Sequence, residues 1–60
     1  MAFEGILAEA EQLYNVSNRL EALADQHPPV SEALMTISGS VRNTATVLEV
    51  LVVTKTIRPI

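Results

Sequence analysis

The chain has no cysteine and no tryptophan, and only one tyrosine, one phenylalanine, one histidine and two glycines. Each shortage closes a route. Without cysteine no disulfide staples the fold and no thiolate holds a metal. A single histidine, His27, makes no common zinc site without carboxylate help, and no Glu-x-x-His run accompanies the acidic residues. Two aromatics, Phe3 and Tyr14, give no platform for stacked bases. Four basic residues, Arg19, Arg42, Lys55 and Arg58, face seven acidic ones for a net charge of -3. They form no stripe, so an electrostatic grip on nucleic acid or anionic lipid is disfavoured. The longest apolar block, Val47 to Val53, is broken by Glu49 and falls far short of the ~20 residues a membrane span needs. Glu4, Glu9 and Glu11, with no basic segment before them, do not fit a signal peptide, and a cytoplasmic location is expected.

What is present is apolar and periodic. The hydrophobic content, 48% of 60 residues, is that of a folded domain rather than a disordered one. A chain this short is marginal alone; disulfides, a metal or oligomerisation are the usual remedies, and oligomerisation is the one left.

The stretch from Pro29 to Lys55 is the strongest signal. Val30, Leu34, Ile37, Val41, Thr44, Leu48, Leu51 and Lys55 alternate spacings of four and three, which keeps them on one side of a helix. Ala33, Ala45 and Val52 flank this seam. Toward the end Val47, Val50 and Val53 lie off it, and a helix apolar nearly all round is a buried helix. One neighbouring helix covers only one side.

Before it, Phe3, Ile6, Ala10, Leu13, Ser17, Leu20 and Ala24 follow the same spacing over a helix expected at 2–26. Tyr14 is expected to pack beside this seam with its hydroxyl at the rim. His27-Pro28-Pro29 breaks the run, because a proline drives the residue before it out of the helical region. A turn at 27–29 between helices of nearly equal length, 2–26 and 29–54, makes them antiparallel neighbours, with an extended tail at 55–60. In such a hairpin, residues whose numbers sum to about 56 share a height, which brings Arg42 near Tyr14 and Asn15 and within reach of Asn18. The alternative for the β-branched end, a strand over Val47–Ile57, fails strict alternation.

Ser38-Gly39-Ser40 reads as a weakness tolerated in a packed helix, as a place where another backbone comes close, or, least, as a hinge; Gly39, beside the seam, is expected to point outward to a partner. Ser17 and Thr44, on the seams, can each bond a carbonyl one turn back and set register rather than attack a substrate. His27 has no acid or nucleophile beside it in sequence, and no phosphate-cradling glycine loop exists.

The expectation is an all-α, two-helix antiparallel hairpin that associates as a four-helix bundle, most simply a homodimer, with Val47, Val50, Leu51, Val52, Val53 and Gly39 at the interface. Val50→Glu is expected to unfold or monomerise it. The expected role is non-enzymatic, with no cofactor or metal: a small interaction and assembly module whose partners are itself and, through helix packing, another protein. The alternative is a small dimeric regulator that binds nucleic acid, which the acidic balance disfavours.

Overall fold

Pro28 ends the first helix, leaving His27 at φ −131° and ψ 73°, outside the helical region. The computed structural model describes residues 3–56. The first helix, α1, is Phe3–Gln26; a 3-10 turn covers Pro28–Val30; the second helix, α2, is Ser31–Thr56. Val30 N–H donates to the His27 carbonyl at 3.0 Å, and Ser31 N–H donates to that of Pro28. Two prolines without N–H groups cost nothing at the start of such a turn. The chain therefore reverses within a few residues and the helices lie side by side as an αα-hairpin.

Three elements of charge suit this geometry: Glu4 and Glu32 stand in the first turns of α1 and α2, and Lys55 in the last turn of α2. The rival strand over Val47–Ile57 is overturned, because α2 runs through Thr56 and no strand occurs among the described residues. Threonines that favour strands are accommodated by hydroxyls donated one turn back, Thr36 to Glu32, Thr44 to Ser40 and Thr46 to Arg42. Packing of Leu48 and Val52 toward α1 supplies the rest, tertiary contact overriding local preference. The expected extended tail is helical at Lys55 and Thr56; its remainder, and the expected start at Ala2, lie outside the described residues.

The contact line of α1 matches the expected one: Ala10, Ser17 and Ala24 are buried, and Phe3, Ile6, Leu13 and Leu20 half-buried. That of α2 is turned by one residue at every second position. Leu34, Val41 and Leu48 belong to it as expected, but the buried residues between them are Ser38, Ala45 and Val52, not Ile37, Thr44 and Leu51. Each helix thus repeats a small residue at seven-residue intervals, Ala10, Ser17 and Ala24 against Ser31, Ser38 and Ala45. Small side chains let the backbones approach, and the hairpin measures 51 × 18 × 9 Å between its Cα extremes. It is one helix thick. Among the described residues the only large side chain in its interior is Val52; the rest of the buried set is Ala10, Ala24, Ala45, Ser17 and Ser38.

Candidate self-association surface

The middle of the hairpin is polar and closed on itself. Ser17 and Ser38, both 0% exposed, meet hydroxyl to hydroxyl at 2.7 Å. Each hydroxyl also lies within bonding distance of the other residue's carbonyl, at 3.1 and 3.0 Å. Such reciprocity requires the two backbones to run close together. Arg42 reaches across from α2, its Nη2 donating to Ser17 Oγ at 2.9 Å and to Glu21 Oε2 at 2.7 Å. Ser38 Oγ lies 3.0 Å from the same carboxylate oxygen. With one proton per hydroxyl, the bonds close into a ring: Arg42 to Ser17, Ser17 to Ser38, Ser38 to Glu21, and Glu21 accepting again from Arg42. No buried side-chain nitrogen or oxygen among the described residues lacks a partner.

This ring fixes register. Sliding one helix by a turn would bury two hydroxyls against aliphatic carbon, and an unsatisfied buried hydroxyl costs ~1–3 kcal/mol. The ion pair itself adds little. Arg42 and Glu21 are 44% and 40% exposed, and pairs so open to water are worth about 0–1 kcal/mol.

Bonds continue along the same edge. Tyr14 Oη donates to Glu49 Oε1 at 2.9 Å and lies 2.9 Å from Thr46 Oγ1. Arg42 also contacts Asn18 Oδ1 at 3.3 Å, as expected, while its expected neighbour Tyr14 is taken by α2 residues nearer the chain end. Tyr14, Asn18 and Glu21 on α1, and Arg42, Thr46 and Glu49 on α2, each step by four then three; they line one broad face of the hairpin.

Leu7, Met35 and Val53 stand exposed on this same side, and the opposite broad face carries the larger aliphatic set. From α1 come Val16, Leu20 and Leu23; from α2 come Val30, Ile37 and Leu51, the seam positions that the rotation of α2 turned away from α1. Leu23, Val30, Ile37 and Leu51 are exposed, and Val16 and Leu20 half-buried. Leu34, Val41 and Leu48 form its inner margin and are shared with the helix–helix contact.

The residues expected at an interface are divided by the structure. Val52, 6% exposed, is already buried within the hairpin and leaves little surface for a second molecule. Leu51 stands on the aliphatic face. Val47, Val50 and Val53, spaced by three, form an exposed ridge that winds around the outer side of α2, with Val47 65% exposed. Gly39 also points outward, with no atom within 4 Å of where a Cβ would stand. The close backbone approach lies instead one residue earlier, at Ser38, and its partner is α1 of the same chain. Ser17 bonds across the hairpin rather than one turn back, whereas Thr44 bonds back to Ser40. His27 is exposed in the turn. Glu21, the remaining ring member, carries no signal in the sequence except its place one turn beyond Ser17, on the flank that Arg42 overhangs.

Among the described residues there is no cavity, no cluster of three or more metal-ligating side chains, and no helix long and apolar enough to cross a membrane. The chain matches no protein-family model, no curated protein and no solved structure.

Proposed function

We propose that this chain is a small, non-enzymatic interaction and assembly module that acts by pairing helix on helix, first with itself as a four-helix bundle and then with helices of other proteins. One observation carries the reading: the hairpin is a single layer whose described interior is, but for Val52, alanine and serine, while Leu, Ile and Val side chains stand exposed. Stable domains bury such side chains between two layers. Fully burying a Val or Leu is worth roughly 1.5–3 kcal/mol, so a second layer adds to what the intramolecular seam supplies. The polar groups are engaged with one another in the serine–arginine–glutamate ring and the Tyr14 edge, rather than converging on an open cavity. The ridge of Val47, Val50 and Val53 is the surface left for a helix of another protein.

The test is the mass in solution across a dilution series, read with helix content by circular dichroism. The expected result is an oligomer at micromolar concentration whose helix signal falls as it dissociates. A fully helical, dilution-resistant single chain would overturn the proposal.

A further inference from the structure

The exposed aliphatic residues leave open which side of the hairpin meets the second layer. The accessible surface is 4593 Å². A compact monomer of 6.5 kDa exposes about 3,800 Å² by the usual surface–mass relation. The excess, roughly 800 Å², equals one partner's share of a standard protein–protein interface. A broad face of a hairpin 51 Å by 18 Å across its Cα atoms is large enough to supply it. Exposed apolar side chains stand on both broad faces, with Leu7, Met35 and Val53 on the side of Tyr14, Arg42 and Thr46, but among the described residues only the face of Leu23, Val30, Ile37 and Leu51 carries no polar bond between the helices. The other is occupied by the bonds of Tyr14 to Glu49 and of Arg42 to Glu21 and Asn18, whose burial would strip water from two exposed carboxylates and a guanidinium.

The α2 pattern points the same way. In a four-helix bundle each helix touches two neighbours, so its apolar stripe is wider than one contact line and is centred between the two. Leu34, Val41 and Leu48 alternate with two sets at once: Ser38, Ala45 and Val52 toward α1, and Ile37 and Leu51, with Val30 before them, one residue round the helix. One step turns the helix about 100°. The first set is satisfied inside the hairpin; the second matches a neighbour in a second layer. An identical hairpin offers the same stripe in return, which is the self-complementarity a two-fold interface needs.

We infer that a second copy of this chain seats on the face bearing Leu23, Val30, Ile37 and Leu51, with the serine–arginine–glutamate ring and Tyr14 edge turned to solvent and Val50 left outside the bundle. This rests on the self-association proposed above and sharpens it. The surface it names differs from the Val47–Val53 block that the sequence suggested.

Because the chain has no cysteine, single thiols report each surface with little change in size. Ile37→Cys and Val50→Cys are each reacted with a thiol reagent, with mass measured in parallel. The expected outcome is an oligomer in which Ile37→Cys reacts about tenfold more slowly than Val50→Cys, the difference shrinking on dilution. Ile37→Glu should yield lower mass and Val50→Glu should keep the wild-type mass. An oligomer with Val50→Cys protected, or with both thiols equally reactive, overturns this inference and leaves self-association standing. A helical monomer at every concentration overturns both.

Discussion

Ser17 and Ser38 each place a hydroxyl within 3.1 Å of the other's main-chain carbonyl while standing 2.7 Å apart themselves. Two serines buried face to face would ordinarily weaken a helix pair. Here Arg42 and Glu21 complete their bonding and convert a liability into a register lock.

A double-mutant cycle on the pair tests the lock. Ser17→Ala and Ser38→Ala are each expected to destabilise by about 1–2 kcal/mol, and the double variant by less than the sum, with a coupling of at least ~0.5 kcal/mol. Denaturant melts at one fixed chain concentration are the measurement, since protomer concentration enters the stability of an associating protein. Strict additivity would show the hydroxyls to be independent.

Replacing Ser38 by Leu should be far worse than removing its hydroxyl. The side chain is fully buried where two backbones nearly touch, and the added carbons must force them apart. A loss of roughly 1–3 kcal/mol or more is expected, seen as a fall in midpoint or as failure to fold.

Gly39→Ala should stabilise the hairpin by about 0.5–1 kcal/mol. A Cβ there meets no atom within 4 Å, and alanine is the better helix former. The same substitution also reports on the outer side of α2. If another helix packs against Gly39, the gain in melting midpoint will come with a loss of association.

Val52→Ala and Val50→Ala should separate cleanly despite identical chemistry. Val52 lies against α1 and its truncation is expected to cost about 1–2.5 kcal/mol, whereas Val50, exposed, should change stability by less than ~0.5 kcal/mol.

Tyr14→Phe removes a hydroxyl that donates to Glu49 and sits beside Thr46 at an exposed edge. A cost of about 0.5–1.5 kcal/mol is expected in thermal or denaturant melts.

Much of this fold was legible in the chain. Pro28 and Pro29 mark the reversal without help from context, and the α1 contact line from Phe3 to Ala24 is as its spacing predicts. On α2 the spacing predicts the large residues Leu34, Val41 and Leu48 of the contact line but not the buried positions that alternate with them. Side-chain size favours Ile37 over Ser38 and Leu51 over Val52, and carries Thr44 along in place of Ala45, so a reading weighted by size rotates the helix toward its greasier side. What decides the matter is how near the backbones can come, and that depends on small residues facing small residues in the other helix. The seven-residue recurrence of alanine and serine in both halves was the available signal. The ring was legible only in part: Arg42 to Asn18 follows from the hairpin, while Glu21 requires knowing that the guanidinium leans toward the turn.

Leu34, Val41 and Leu48 border both the contact with α1 and the aliphatic face. In the proposed dimer a change at any of the three therefore disturbs the hairpin and its docking together, whereas a change at Ile37 or Leu51 bears on docking alone. Folding and the proposed assembly would share a hinge line of three side chains, so a variant that breaks partnership without harming the subunit has to be sought beside that line, never on it.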